Sequence, residues 1–250
     1  MEVVELSPIA NKVPLNFRCL LMGCSESGKS SFISRLIKNK STIFQEPYEK
    51  FLYCSPNLGG SALSSRHDLD YKKCLEEWAA PTQIQFYNYI MSEDELMEIT
   101  DSTAGRTLLI CDDFSLEFFQ TPLCYSLFTR LSSHRKLDSC ISLHQGCASR
   151  TSGKWFSAIS QNCNYLVLFR NIANRAAIGE ISKRVYPYSN NFLQRCLEKA
   201  TELLGVYGYI CIDASLQNPL NNSHGVRTNI FQEYGLPVIL FKNPNMYHGK

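Results

Sequence analysis

Apolar residues along this chain gather in short continuous runs, and the stretches between them are amphipathic or rich in glycine and serine. The runs at 17–22, 51–54, 107–111, 139–143, 165–169 and 207–213 have the length and composition of strands buried on both faces. A further strand is expected at 84–88. Helical periodicity fills several of the gaps. Residues 31–38 put Phe32, Ile33, Leu36 and Ile37 on one face. Ser92 and Glu95 have capping-box spacing and open a short helix through Ile99. Thr121 as cap and Pro122 in the first turn open another, whose core side is Leu123, Leu127, Phe128 and Leu131. Residues 172–185 are expected to be helical, and Ser189 to cap a helix that Gly205 ends. The tract 57–65 reads as a surface loop. Strands alternating with helices predict an α/β fold with a mostly parallel central sheet flanked by helices. In such sheets ligands bind at the carboxyl ends of the strands.

The turn after the first strand carries the most specific chemistry. Gly23-Cys24-Ser25-Glu26-Ser27-Gly28-Lys29-Ser30 matches the phosphate-loop pattern G-x-x-x-x-G-K-[ST]. A chain of this length meets the pattern by chance on the order of one time in a hundred. Here it also stands between a strand and a helix, as the motif requires. The glycines let successive N–H groups converge on phosphate oxygens, and Lys29 reaches the β- and γ-phosphates. Ser30 is the expected Mg²⁺ ligand, and Ser31 completes the contact set at the helix N-terminus. ATP and Mg²⁺ are therefore the expected cofactors.

Two further polar features, Asp112-Asp113 and Gln145, converge with the loop on the same sheet edge. The strand at 107–111 ends in Asp112-Asp113. An acid closing an apolar strand holds the Mg²⁺ shell in P-loop NTPases, the role expected of Asp112. A second acid directly after it is placed to orient and deprotonate the attacking water, the role expected of Asp113, whose alternative is to cap the following segment. The strands at 51–54 and 84–88 fall between the two motifs in sequence. That leaves room for an extra strand between the motif strands in the sheet, as in additional-strand ATPases. Gln145, at the tip of the 139–143 strand, is the expected polar sensor of γ-phosphate or water. Arg135 is the candidate for an arginine finger supplied by a neighbour, with Arg130, Arg150 and Arg170 as competitors.

Composition narrows the setting. The 250 residues suit one large α/β domain or a core with decorations, and 44% hydrophobic content is ordinary for a folded protein. A net charge of +2 gives no wholesale basic footprint for nucleic acid. A ring of subunits needs only a few basic residues each; Arg150 and Lys154 are the candidates for gripping DNA, their alternative being ordinary surface charges. The 11 cysteines form no C-x-x-C pair and follow no secretory signal, which predicts free thiols in a reducing, intracellular compartment. The spacing of His134, Cys140, His144 and Cys147 fits no standard zinc pattern. No apolar run approaches the ~20 residues of a membrane span. No strong basic localisation run is present, so nucleus and cytoplasm stay open, as does association with a virion.

These residues point to a family. The chain resembles the HerA/FtsK-type DNA-packaging ATPases of eukaryotic DNA viruses and virus-like transposons, the Polinton/Maverick and adintovirus group. The likeness runs from about Asn16 to Phe231. Besides the loop and the acidic pair, it rests on Phe51-Leu52-Tyr53-Cys54, Leu127-Phe128-Thr129, Ser133-His134-Arg135, His144-Gln145 and Ser149-Arg150-Thr151. It continues through Asn164-Tyr165-Leu166-Val167-Leu168-Phe169-Arg170-Asn171, Val185-Tyr186-Pro187 and Arg227-Thr228-Asn229-Ile230-Phe231. The resemblance implies a RecA-like ATPase domain at 16–231, between an N-terminal arm at 1–15 and a C-terminal tail at 232–250. It implies that Lys29, Ser30, Asp112 and Asp113 carry ATP hydrolysis, with Gln145 as sensor and Arg135 in a recurrent His-Arg element. It also implies a homo-oligomeric ring, pentamer or hexamer, acting on double-stranded DNA beside a capsid protein. The chain departs from the family at His144, commonly Thr, at Gly146, commonly Asn, and at Ser25-Glu26, where Gly/Ser pairs are frequent. Glu26 adds a negative charge near the triphosphate and faces either a neighbour's arginine or solvent.

The leading expectation is an ATP-driven motor that moves double-stranded DNA into a capsid. Its alternatives are a helicase or recombination-associated ATPase and a nucleotide-gated capsid assembly protein. A nucleotide kinase is the weakest, because no arginine-rich lid is evident. The apolar run at 236–241 is expected either to pair with the sheet edge or to dock on a neighbouring subunit.

Overall fold

The computed structural model describes residues 2–6, 12–13, 16–56, 66–114, 118, 121–132, 135–143, 159, 161–170, 175–186, 189, 191–214 and 225–242. Its strands are β1 (Glu2–Leu6), β2 (Arg18–Met22), β3 (Tyr48–Cys54), β4 (Gln83–Tyr87), β5 (Arg106–Cys111), β6 (Leu137–Leu143), β7 (Tyr165–Phe169), β8 (Tyr209–Asp213), β9 (Gly225–Thr228) and β10 (Val238–Lys242). They form one 10-stranded sheet in the order β1-β10-β9-β8-β7-β2-β6-β5-β3-β4. From β7 to β4 every neighbouring pair is parallel, and from β7 back to β1 every pair is antiparallel. A parallel half therefore carries the phosphate loop, and an antiparallel wing extends it.

The parallel half follows from the sequence pattern. Strands β2, β5 and β6 are buried almost throughout, as strands covered by helices on both faces must be. Side chains alternate between two cores: Leu20 and Met22 of β2 join one, Cys19 and Leu21 the other. Helix α1 (Lys29–Lys38) packs Phe32, Ile33, Leu36 and Ile37 into the second core, as its apolar stripe predicts. Helix α4 (Glu93–Ser102) starts at the expected capping box, with Ser92 Oγ accepting from Glu95 N–H and Glu95 accepting from Ser92 N–H. Helix α5 (Pro122–Ser126) starts at the Thr121 cap and runs on as a wider π-type coil over Leu127–Leu131. Arg18 donates to the Phe128 carbonyl of that coil at 3.0 Å.

Several elements differ from expectation. The strand inserted between β2 and β5 is β6, which follows the acidic pair in sequence; the strands at 51–54 and 84–88 lie outward as β3 and β4. Burial gives the reason. Every residue of β6 is buried, whereas β4 alternates with exposed Gln83 and Gln85 and suits a sheet edge. Helix α3 (Arg66–Ala79) was not anticipated, because its apolar stripe is thin: Leu75 and Ala79 are fully buried, and Tyr71 and Trp78 only pack against the core. A short α2 (Lys40–Ile43) follows α1. Helix α6 (Arg175–Val185) lies within the expected 172–185. Helix α7 (Phe192–Leu204) has Asn191, not Ser189, at its N-cap, and Ser189 contributes its carbonyl to Phe192 N–H instead. Gly205 ends α7 at φ 75. Residues 205–207 then form a tight turn, so β8 starts at Tyr209 rather than at 207. At the far edge, β10 pairs with β9 and β1 pairs with β10. The run at 236–241 thus takes the sheet-edge alternative, and the segments 1–15 and 232–250 each add a strand to the one sheet.

Candidate nucleotide site

The loop between β2 and α1 is built by two glycines that no other residue replaces cheaply. A Cβ on Gly23 would lie 2.3 Å from Ser27 Oγ and 2.9 Å from Phe169 Cβ, and Gly28 takes φ 101 at the α1 N-cap. Gly23 N–H donates to the Leu143 carbonyl, tying the loop to the end of the inserted strand. Glu26 sits at φ 61, a left-handed conformation that favours glycine. Lys29 is 4% exposed, and its ammonium donates to the Gly23 carbonyl at 2.9 Å and the Cys24 carbonyl at 2.6 Å. Burial lowers its pKa from the ordinary lysine value, against the opposing charges of Asp112 and Asp113. Lys29 therefore lies within electrostatic reach of both acids, across the inserted strand β6 that separates β2 from β5.

Asp112 is held from two sides. Tyr53 on β3 donates its hydroxyl to Oδ2 at 2.8 Å, and Ser142 on β6 donates to Oδ1 at 2.6 Å. Ser142 Oγ also accepts from Asp113 N–H at 3.0 Å. Asp113 takes φ 64, so the chain turns sharply after the buried Asp112 and leaves Asp113 half-buried beside the loop. Burial, with the Asp112 charge, pushes the Tyr53 phenol well above its ordinary pKa and keeps it a donor. Behind it, Tyr71 of α3 stands 3.4 Å from the Tyr53 hydroxyl and 2.7 Å from Ser34 Oγ of α1. A chain of hydroxyls therefore links the loop's own helix to the acid. Sequence reasoning passed over Tyr53 and Ser142. Their signal was a hydroxyl near the carboxyl end of an otherwise apolar strand.

A cavity of about 380 Å³ opens on the loop, lined by Glu26, Gly28, Lys29, Ser30 and Ser31, with Arg35 and Tyr207 completing it. The residues present fit a magnesium polyphosphate. Ser27 Oγ is buried without a hydrogen-bond partner, the loop N-cap is glycine, and the buried cation faces two acids. Ser30 is exposed at the cavity, and each Asp112 oxygen keeps a lone pair beyond the hydroxyl it accepts.

The other candidates fall elsewhere. Arg135 is exposed at the opposite, amino-terminal edge of the sheet, where it pairs with Asp101 at 2.9 Å. Arg130 is exposed and pairs with Glu93. Arg170 is exposed just beyond β7, at the loop edge. Gln145, Arg150 and Lys154 lie outside the described residues, as do His134, His144 and Cys147. Cys140 is buried in β6, and among the described residues no histidine, cysteine and acid cluster is arranged to hold a metal. No helix of the described residues is long and apolar enough to cross a membrane.

The Arg227-Thr228-Asn229-Ile230-Phe231 motif is architectural. Arg227 pairs with buried Asp213, Thr228 donates to the Tyr209 carbonyl, and Asn229 donates to the carbonyls of Leu236 and Pro237. Phe231 packs edge-on against Phe32 of α1.

No protein-family model matches this chain, and no curated protein matches it. Among solved structures it is similar to the genome packaging NTPase B204 from Sulfolobus turreted icosahedral virus 2, in complex with ATP-gammaS. Identity is 16%, coverage is 85% of this chain and 96% of that chain, and the TM-score is 0.49.

Proposed function

We propose that this protein is a Mg²⁺-dependent ATPase that works as the motor of a DNA-packaging machine, translocating double-stranded viral DNA into a capsid. The observation that carries the ATPase reading is the convergence of Lys29, Asp112 and Asp113 at the ends of β2 and β5, with β6 inserted between those strands. The motor reading is supported by the ordered motifs that resemble HerA/FtsK-type packaging ATPases.

The chain's residues divide the work. The loop N–H groups and the α1 N-terminus bind phosphate oxygens, which replace the Gly23 and Cys24 carbonyls as acceptors for Lys29. Ser30 and Asp112 would hold Mg²⁺, which would supply charge neutralisation to the bound triphosphate. Asp113 orients the attacking water and accepts its proton. Tyr53 and Ser142 fix Asp112, and Ser142 fixes the backbone of Asp113. Gln145 senses γ-phosphate or water, Arg150 and Lys154 grip DNA phosphates, and Arg135 completes the site of the next subunit in a ring.

ATP turnover by the purified protein, with and without long double-stranded DNA, tests this beside Asp113→Asn. Turnover stimulated by duplex DNA and cut by about 10²–10⁴ in the variant is the expected result. ATP bound but not hydrolysed by the assembled wild-type protein would overturn the motor and favour a nucleotide-gated assembly role.

A further inference from the structure

The turn between α7 and β8 puts an aromatic ring at the mouth of the phosphate loop. Gly205 takes φ 75 there, and a Cβ on Gly208 would fall 2.7 Å from Thr201 Cα, so the chain reverses tightly between two glycines. Val206 and Tyr207 are projected outward, 66% and 57% exposed. The ring does not stand free in solvent. It rests against the last glycine of the loop, where a Cβ on Gly28 would meet Tyr207 Cδ1 at 3.4 Å. Tyr207 lines the same cavity as Lys29 and Ser30. Arg35 lines it too, and its guanidinium is fixed by Glu233 and lies 5.6 Å from the Phe231 ring centroid.

The roles given above occupy only the loop side of this cavity. Phosphates held at the Gly23–Ser30 backbone leave the nucleoside to fill the rest, and the rest is lined by one exposed aromatic ring and one anchored guanidinium. Both are planar groups on which a nucleobase stacks favourably. We propose that Tyr207 is the platform on which the base of the bound nucleotide stacks, with Arg35 as the polar side of the same subsite. The inference rests on the nucleotide-binding reading and adds to it the group that recognises the nucleoside.

Isothermal calorimetry with two probes separates the claims: ATP and inorganic tripolyphosphate, each with Mg²⁺, against wild type, Tyr207→Ala and Tyr207→Phe. Tyr207→Ala is expected to weaken ATP about fivefold to a hundredfold and to leave tripolyphosphate unchanged, while Tyr207→Phe binds both as wild type does. Equal weakening of both probes would assign the ring to loop support and overturn the proposal. So would undiminished ATP affinity in Tyr207→Ala, and a smaller oligomer in that variant would then make the ring a subunit contact. Wild type binding tripolyphosphate as tightly as ATP would remove the base platform and leave the phosphate loop standing. Wild type binding neither would overturn the nucleotide site and this inference with it.

Discussion

Two hydroxyls decide where the acidic pair points. A carboxylate buried at the end of a parallel strand needs donors, and Tyr53 and Ser142 supply one to each oxygen of Asp112. Ser142 has a second task, because it accepts the Asp113 N–H and so helps to hold the left-handed turn that presents the second acid. Tyr53→Phe keeps the ring and removes one donor. It should cost about 1 kcal/mol of stability and lower kcat with little change in KM. Ser142→Ala removes two hydrogen bonds at once, the donor to Asp112 and the acceptor of Asp113 N–H, so it should cost more, about 1–3 kcal/mol, and reduce turnover further. Steady-state kinetics beside urea unfolding reads both; a kcat untouched in Ser142→Ala would remove its positioning role. Glu26 is the residue that works against the site. It occupies a glycine-like conformation and lines the phosphate cavity with a negative charge. Glu26→Gln should tighten ATP up to about fivefold at low salt, with the gain shrinking as salt rises. Unchanged affinity at low salt would show that the carboxylate has no influence on the phosphates.

At the scale of elements, the inserted strand β6 is the piece that makes the site. It carries Ser142 at its carboxyl end and Asp138 near its amino end. Asp138 is fully buried, accepts from Tyr48 at 2.6 Å and pairs with Arg106 of β5. These bonds fix β6 against β3 and β5. Burial raises the Asp138 pKa above its ordinary value, with Arg106 and Tyr48 pulling the other way. A raised folded pKa means that this contribution is full below the unfolded value of about 3.9 and is lost as pH rises through the folded value. Wild type should therefore gain stability over Asp138→Asn on acidification through that window. Asp138→Ala, which leaves Arg106 unpaired, should cost about 3–5 kcal/mol in denaturant unfolding at neutral pH. Replacing Tyr48, Arg106 and Asp138 together by Phe, Met and Leu should recover most of that loss; a triple variant as unstable as the single one would show that the network does more than satisfy itself.

The same element shows how far a sequence carries this fold. Continuous apolar runs located β2, β3, β5, β6 and β7, because strands covered on both faces leave that signature directly. The neighbours of β6 were not legible, because strand order is set by long-range pairing that periodicity does not encode. Helix α3 escaped because its outer face is charged and its buried stripe amounts to little more than Leu75 and Ala79. The wing was half-visible: the run at 236–241 read as apolar, but its partner at 2–6 is too mixed to read as a strand. At the candidate site, Lys29, Ser30, Asp112 and Asp113 could be singled out from the motif and its strand context. Tyr53, Ser142, Arg35 and Tyr207 could not, because each reaches the candidate site through a contact distant in sequence.

For the whole molecule, the position of Arg135 has a consequence for assembly. The seven residues of β6 separate its edge of the sheet from the acidic pair, roughly 20 Å at strand rise. Arg135 therefore cannot serve its own subunit, and a catalytic role requires a ring in which one subunit's amino-terminal edge faces the next subunit's loop, a heterologous contact that closes. The surface pair with Asp101 is exposed on both sides, so breaking it costs little stability. Arg135→Ala should then fold and bind ATP normally while turnover falls by about 10³–10⁵. The decisive measurement mixes two inactive proteins, Arg135→Ala and Asp113→Asn. Each site on an Arg135→Ala subunit regains a finger when its neighbour is Asp113→Asn, which holds for about a quarter of the contacts in a randomly mixed ring. Turnover should reappear on mixing to about that fraction of wild type, with subunit exchange verified by labelled protein. Mixed rings that stay inactive, or Arg135→Ala rings that hydrolyse ATP as wild type does, would take the finger away from Arg135 and return it to Arg130, Arg150 or Arg170.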